Sequence, residues 1–207
     1  MQTRIWIDNG HGVNTPGKCS PDMRLREYAW TREIAGRLVK LLCSSGYDAA
    51  LLVPEQNDIS IKTRAQRVNR TCVERGADKV LLVSIHINAA GDDWAWHDAN
   101  YWSAWIYRQE FKDAAGKTYL VKEASQASKN LCRELYYAAQ LEGFKCSGFP
   151  AKEKNLGILR QTLCPAVLVE NFFQDNRKNV EWLLSEEGKQ AVIRVLFIGI
   201  ENYINPV

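Results

Sequence analysis

Short apolar segments alternate along the chain with longer segments that have helical periodicity, and this alternation limits the fold more than any other feature. The apolar segments predict strands at residues 5–7, 49–53, 79–87, 101–107, 157–160 and 166–170. The periodic segments predict helices at residues 25–43, 59–75 and 125–141, followed by two closing helices. Strands that alternate with crossover helices form parallel sheets covered on both faces. We therefore predict an α/β fold, with a mostly parallel twisted sheet flanked by helices on both faces.

Length and composition narrow the classes of protein that fit. A chain of 207 residues with 46% hydrophobic content can bury one good core, so we expect a single domain over residues 1–207. The net charge of +3 is too small to predict a nucleic-acid partner, and we expect none. The six cysteines include no Cys-x-x-Cys pair, which favours reduced thiols made in a reducing compartment. Residues 1–10 lack the pattern of a signal peptide and no apolar run could span a bilayer, so we expect neither an export signal nor a transmembrane segment.

Residues that can bind metal or transfer protons follow three of the predicted strands. His11 follows the first strand, His86 ends the strand at 79–87, and Glu170 ends the strand at 166–170. The carboxyl ends of parallel strands share one edge of a sheet, where such folds place their sites. Glu27 lies in the first turn of the next helix, which a right-handed crossover starts at the same edge. We therefore expect these four side chains to lie close together.

Two imidazoles and one carboxylate are typical of a catalytic zinc site, which keeps a fourth position open for water. We predict that His11, Glu27 and His86 hold one zinc ion per chain, and that Glu170 acts as the general base. Taken singly, a histidine at a strand end or a glutamate at a helix start also has an ordinary structural explanation. The sequence around His11 is "IDNGHG", and we interpret its glycines as residues that let the backbone turn sharply beside the imidazole.

A nucleotide-binding loop is an alternative for the same region. Residues 12–18, "GVNTPGK", have the glycine and lysine spacing of a phosphate-binding loop and follow a strand. Cys19 replaces the Ser or Thr that would bind magnesium, and Pro21 follows where a helix should start. This alternative also leaves the two histidines and Glu27 without a role, so we place it well behind the metal site.

Four stretches resemble the zinc-dependent N-acetylmuramoyl-L-alanine amidases of the Amidase_3 family. They are "IDNGHG" at 7–12, "REYAWTREIAGRL" at 26–38, "VSIHINAA" at 83–90 and "NLGILRQTLCPAVLVENFFQDN" at 155–176. Their order and spacing cover almost the whole chain. The resemblance implies a phosphorylase/hydrolase-like fold, with zinc at the positions of His11, Glu27 and His86 and with Glu170 as catalytic acid and base. It also implies hydrolysis of the amide between the lactyl group of N-acetylmuramic acid and L-alanine in peptidoglycan.

Further expectations concern substrate binding, the assembly state and the location of the protein. Asn88 and Arg160 are our candidates for binding substrate, because both lie near predicted strand ends at the same edge. A surface-paired arginine and a loop-capping asparagine are the ordinary alternatives. We expect a monomer without a separate wall-binding module, so substrate contacts must come from the catalytic domain. The missing export signal suggests synthesis in the cytoplasm and action on the wall after release, as for a phage or prophage lysin, or else an unusual export route.

Two other functions remain open at this point, and one segment has no assigned role. A zinc peptidase that shortens stem peptides would use the same metal, although the His-x-x-Glu spacing of zinc carboxypeptidases is missing. A catalytically silent wall-binding module is the third possibility. Residues 94–107 hold six tryptophans and tyrosines, for which packing of an added strand is favoured over a platform for glycan or peptide. His97, in the same region, is expected to be a surface residue.

Overall fold

The computed structural model describes residues 2–112, 116–148 and 152–206. The strands are β1 (Arg4–Asn9), β2 (Asp48–Leu51), β3 (Val80–Asn88), β4 (Ser103–Lys112), β5 (Thr118–Glu123), β6 (Lys152–Lys154) and β7 (Ala166–Phe173). The α-helices are α1 (Glu27–Ser44), α2 (Ile61–Arg75), α3 (Gln126–Leu141), α4 (Gly157–Gln161), α5 (Arg177–Leu184) and α6 (Glu186–Ile204). A short 3₁₀ helix at Ala77–Lys79 precedes β3. The sequence also predicts a loop rich in glycine, proline and lysine between the helix at 125–141 and residue 154, and part of this loop lies outside the described residues.

The sheet has the order β2-β1-β3-β7-β4-β5, and β6 pairs with β4. The four strands β2, β1, β3 and β7 are parallel to one another. Beyond them β4 runs antiparallel to β7, and β5 runs antiparallel to β4. The predicted α/β fold is confirmed, with antiparallel pairing confined to the side of the sheet that begins at β4.

Each central strand contributes alternate side chains to two hydrophobic layers, because successive residues of a strand point to opposite faces. On β1, for example, Ile5 and Ile7 join one layer and Trp6 packs against the other. The first layer is covered by α1, α3, α5 and α6, and the second by α2 and α4. The strands are apolar on both faces because both faces are buried.

One predicted strand is helical in the structure, and the strands β5 and β6 were not predicted. A strand was predicted at residues 157–160, but residues 157–161 form α4, whose Ile158 and Leu159 are both buried. A short apolar run does not distinguish a strand from a buried helical turn, since it is too short to show a period. The strand β5 was missed because its residues are all exposed and carry no burial pattern.

The aromatic segment is mainly a packing element, as expected. Trp102 is fully buried, its indole nitrogen donates to Asn171 Oδ1 at 3.1 Å, and its ring meets the Tyr136 ring edge-on. Tyr107 on β4 is also buried. Trp94 is the exception, since 60% of it is exposed.

Among the described residues, we find no helix with the length and apolar character needed to cross a bilayer.

Candidate active site and metal centre

The register of the sheet sets His86 beside Glu170. The two residues are paired across the parallel strands β3 and β7, so their side chains leave the same face of the sheet. The pairing then shifts, and Asn88 lies opposite Phe173, which leaves an extra residue in β7 just after Glu170. Phe172, within this bulge, has a φ of 62°. Bulges of this kind often lie next to active sites, where they re-aim a side chain or end the pairing.

His11 itself adopts the left-handed backbone conformation in the turn after β1, with a φ of 63°. The flanking glycines have a different purpose from the one we predicted. A Cβ on Gly10 would lie 2.4 Å from the His86 ring, and one on Gly12 would lie 1.9 Å from the backbone nitrogen of Asp58. The glycines therefore allow close approach, while the strained conformation is at the histidine.

Glu27 is the first residue of α1 and is almost completely buried. Its backbone nitrogen donates to the carbonyl of Lys18 at 2.9 Å, which closes the loop between β1 and α1. Its Oε1 accepts from the backbone nitrogen of Ile87 at 3.0 Å. The loop and β3 therefore hold the carboxylate from both sides.

The ligand atoms of His11, Glu27 and His86 all lie within 4.8 Å of one another. His86 Nδ1 is 3.0 Å from Glu27 Oε1, and His11 Nε2 is 3.3 Å from Glu27 Oε2. Tetrahedral ligands at about 2.1 Å from a zinc ion are separated by roughly 3.4 Å, and the two contacts to Glu27 are close to that value. The nitrogen and oxygen donor set also suits zinc.

The charges within this cluster support one another in the metal-free protein. Burial opposes ionisation of Glu27, but hydrogen bonds from His11 and His86 outweigh it and lower the pKa of Glu27 to about 2. Burial opposes protonation of His86, but the hydrogen bond to Glu27 prevails and raises the pKa of His86. A buried carboxylate needs a positive charge nearby, so this cluster favours the binding of a cation.

Glu170 faces the same cavity of 630 Å³ as His11 and His86. Its Oε2 is buried and has no hydrogen-bond partner among the described residues. Burial raises the pKa of Glu170 to about 7, and the charge of His86 only partly opposes this. A carboxyl group with a pKa near neutrality can both accept and return a proton at physiological pH.

The raised pKa of Glu170 predicts a pH dependence of stability in the metal-free protein. The folded state binds this proton more tightly than the unfolded state, so its stabilising contribution is present below about pH 4.5 and disappears as the pH rises towards 7. Between pH 5 and pH 8, we expect the free energy of unfolding to fall by about 2 to 3 kcal/mol more in the wild type than in Glu170→Gln. Urea unfolding of both proteins in chelator measures this difference, and equal slopes against pH would contradict it.

An ion pair below the site was not predicted from the sequence. Arg64 on α2 is buried and donates to Asp8 Oδ1 at 2.5 Å and to Asp58 Oδ1 at 2.7 Å. It also donates to the carbonyl of His11 at 3.3 Å, and Arg32 donates to the same carbonyl at 2.9 Å. These two arginines therefore support the turn that carries His11. The only sequence signal was Asp8, an aspartate directly after the apolar residues 5–7 of the first predicted strand.

A second positioning contact comes from Asn171, the residue after Glu170. Its Nδ2 donates to the carbonyl of His86 at 2.9 Å, and its Oδ1 accepts from Trp102. The side chain of Asn171 is fully buried. Through these two hydrogen bonds it connects β7 to β3 and to the segment before β4, next to the candidate site.

The other predicted site residues lie outside this cluster. Arg160 is exposed on α4, donates to Asn155 Oδ1 at 2.8 Å and lines a different cavity. Its strand-end position was wrong, because residues 157–161 are helical. Asn88 Oδ1 accepts from the backbone nitrogen of Ala89 at 2.9 Å, which is the capping contact we gave as the alternative. His97 is partly exposed, and its Nε2 is 2.8 Å from Asp93 Oδ1.

The nucleotide alternative finds no support in the loop after β1. The next helix begins only at Glu27, so no helix N-terminus follows the glycine and lysine of residues 12–18. Lys18 instead lines the cavity that contains His11 and Glu170.

Known proteins resemble this chain in sequence and in fold. The chain is 26% identical to an endolysin of Bacillus phage SPP1 and 26% identical to a sporulation-specific N-acetylmuramoyl-L-alanine amidase of Bacillus subtilis. These matches cover 99% and 98% of the chain, and 67% and 68% of those proteins. An N-acetylmuramoyl-L-alanine amidase of Clostridium difficile 630 has a similar fold, with a TM-score of 0.77 at 24% identity, over 99% of this chain and 98% of that one.

The catalytic domain of CwlV, an amidase of Paenibacillus polymyxa, has a TM-score of 0.74 at 21% identity and is covered over 99% of both chains. The model of the Amidase_3 family, described as N-acetylmuramoyl-L-alanine amidase, matches residues 5–202. The chain therefore belongs to the Amidase_3 family of N-acetylmuramoyl-L-alanine amidases.

Proposed function

We propose that this protein is a zinc-dependent amidase that hydrolyses the bond between the lactyl group of N-acetylmuramic acid and L-alanine in peptidoglycan. The observation that carries the proposal is the meeting of His11, Glu27 and His86 beside Glu170 at the carboxyl edge of the parallel strands. Membership of a family of N-acetylmuramoyl-L-alanine amidases supports the assignment of this amide as the bond that is cleaved.

His11, Glu27 and His86 would hold the metal. A zinc ion supplies Lewis acidity, which polarises a carbonyl group and lowers the pKa of a water molecule. The negative charge of Glu27 and the two neutral imidazoles match that ion in charge and donor type. Arg64 and Arg32 hold the His11 turn in place through its carbonyl oxygen.

Glu170 would act first as base and then as acid. The Glu170 carboxylate, which lines the cavity, takes a proton from the attacking water as that water adds to the lactyl carbonyl carbon. The same carboxyl then returns the proton to the alanine nitrogen, which leaves as an amine. The apolar wall of the cavity limits water around Glu170 and so keeps its pKa high; this wall includes Ile59, Leu156 and Ile158.

Analysis of the reaction products identifies which bond is cleaved. We expect digestion of purified peptidoglycan to release intact stem peptides that begin with a free L-alanine, which mass spectrometry detects. A zinc peptidase would instead release shortened stem peptides. A wall-binding module would sediment with peptidoglycan and release no peptide.

Removal of the metal should abolish turnover. We expect dialysis against a chelator to lower hydrolysis at least about a hundredfold, because a bound metal contributes several kcal/mol of transition-state stabilisation. Addition of one equivalent of Zn²⁺ should restore the activity. Metal content by mass spectrometry and a turbidity assay on cell walls measure both steps, and full activity in metal-free protein would overturn the zinc assignment.

The similarity to a phage endolysin supports a route in which the protein is made in the cytoplasm and reaches the wall after release. We propose this route for the present chain on the strength of that similarity.

A further inference from the structure

A serine at the start of β4 lies directly across from Glu170 and has no role in the reaction described above. Ser103 pairs with Glu170 across the antiparallel strands β4 and β7. The Cβ atoms of residues paired in this way are about 4.5 to 5.5 Å apart, and their side chains leave the same face of the sheet. The next pair, Ala104 and Val169, lies in the first hydrophobic layer. Ser103 and Glu170 therefore point to the opposite face, which holds the active-site cavity.

Each of these two side chains has an oxygen without a hydrogen-bond partner among the described residues. The atoms are Ser103 Oγ and Glu170 Oε2, and both are enclosed away from solvent. A buried polar group without a partner destabilises the folded protein. One of these groups can donate and the other can accept. Because the Cβ atoms are already close, rotation of the serine side chain about its Cα–Cβ bond brings the donor towards the acceptor without movement of the backbone.

The same sheet already contains a hydrogen bond of this kind. Asp8 on β1 is directly across from Ser84 on β3, and both residues are buried. Ser84 Oγ donates to Asp8 Oδ2 at 2.6 Å. Asp8 also lines the active-site cavity, so its side chain lies on the face of the sheet that carries Glu170. A serine directly across from a carboxylate therefore reaches it on this face of the sheet.

Neighbouring contacts hold the strands in register at the serine and the glutamate. The indole nitrogen of Trp102 donates to Asn171 Oδ1 at 3.1 Å, and these two residues adjoin Ser103 and Glu170 in the sequence. Asn171 Nδ2 in turn donates to the carbonyl of His86 at 2.9 Å. The backbones that carry the serine and the glutamate are therefore fixed relative to each other.

The Glu170 carboxylate has one enclosed oxygen, and the other is left for the cavity. The residue lines the cavity and is partly exposed, whereas its Oε2 is buried. A general base acts efficiently when it presents an oxygen to the attacking water in a fixed direction. A hydrogen bond to the enclosed oxygen fixes that direction, and such bonds are stronger when the acceptor is charged.

We propose that Ser103 is a positioning residue whose hydroxyl donates a hydrogen bond to Glu170 Oε2 when the carboxyl group is ionised. This bond holds the carboxylate so that its other oxygen faces the attacking water. Ser103 itself contacts neither the substrate nor the metal. The inference rests on the proposed function, because Ser103 has this role only if Glu170 is the base.

Removal of the hydroxyl tests the inference on a soluble muropeptide that contains the scissile amide. We expect Ser103→Ala to lower kcat at least about tenfold, because the base loses its fixed orientation. KM should stay within about twofold of the wild-type value, because Ser103 does not contact the substrate. Ser103→Cys has nearly the size of serine but is a weak donor, so kcat should fall in this variant as well even if Ser103→Ala folds poorly.

A double-mutant cycle separates positioning from a general loss of structure. In Glu170→Gln protein the base is already absent, so the addition of Ser103→Ala should change the residual kcat by less than about twofold. A general disturbance of the sheet would instead lower kcat by the same factor with and without Glu170.

Ser128→Ala is the matched control. Ser128 is also buried, and its Oγ accepts from the backbone nitrogen of Ala166 at 3.1 Å. This variant therefore loses a buried serine hydroxyl that contacts the same strand, but at the start of β7 rather than beside Glu170. Its kcat should equal the wild-type value.

The outcomes separate this inference from the proposed function. Wild-type protein that does not hydrolyse the muropeptide would contradict the amidase function. Active wild-type protein and an unchanged kcat in Ser103→Ala, or in Ser103→Cys if the alanine variant does not fold, would leave the function intact and overturn the role of Ser103. An equal loss of kcat with and without Glu170, or an equal loss in Ser128→Ala, would also overturn that role.

Discussion

Glu170→Gln is expected to lower peptidoglycan hydrolysis about a thousandfold while the protein keeps its full complement of metal. General acid and base catalysis contributes about a hundredfold to ten-thousandfold, and one group here would supply both steps. The amide of glutamine has nearly the shape of the carboxyl group but cannot take up the proton of the attacking water. Metal should be retained because the three proposed ligand side chains, His11, Glu27 and His86, form a cluster that does not include residue 170.

Release of peptide from purified cell walls measures the loss, and metal analysis of the same samples measures retention. Glu187→Gln is a suitable control, because it changes an exposed glutamate on α6 and should leave both quantities unchanged. Glu170→Gln protein with normal activity would remove Glu170 from the mechanism. Inactive protein that has also lost its metal would make Glu170 a residue of the metal site instead.

The place of the site could be predicted because parallel strands all end at one edge. His11, His86 and Glu170 follow apolar strands, and each strand could be recognised from its own residues alone. That these three side chains lie close together then followed from one rule, that the carboxyl ends of parallel strands share one edge of the sheet. Glu27 required one further step, the handedness of the crossover connection.

The contacts that orient those side chains could not be predicted in the same way. Arg64 lies on a helix whose other residues are mostly polar, so its sequence surroundings resemble those of any exposed arginine. Its burial follows from Asp8, which is 56 residues away in the sequence. A buried charge becomes recognisable only when its partner is known, and that partner is a tertiary contact.

The glycines beside His11 show a similar limit. A glycine between polar residues predicts a turn with unusual backbone angles, and that was our interpretation. In the structure the unusual angle belongs to His11, and Gly10 is needed because the His86 ring lies against it. Close approach between two distant segments leaves no local signal in either of them.

Arg64→Met is expected to destabilise the folded protein by about 3 to 5 kcal/mol, because it leaves Asp8 buried and without its cationic partner. Ser84 Oγ, which donates to Asp8 Oδ2 at 2.6 Å, would be the main remaining contact to that carboxylate. Urea unfolding of the metal-free protein measures the change. Because Arg64 also donates to the carbonyl of His11, we expect weaker zinc binding, measurable by competition with a chelating dye.

Arg67→Met is the matched control for this effect. Arg67 lies on the same helix but is about one-third exposed and pairs with Glu55 at the surface, so its loss should cost no more than about 1 kcal/mol. Adding Asp8→Asn to Arg64→Met removes the buried negative charge and should restore part of the lost stability. If Arg64→Met were no more harmful than Arg67→Met, the buried pair would be a minor contact, and support for His11 would have to come mainly from Arg32.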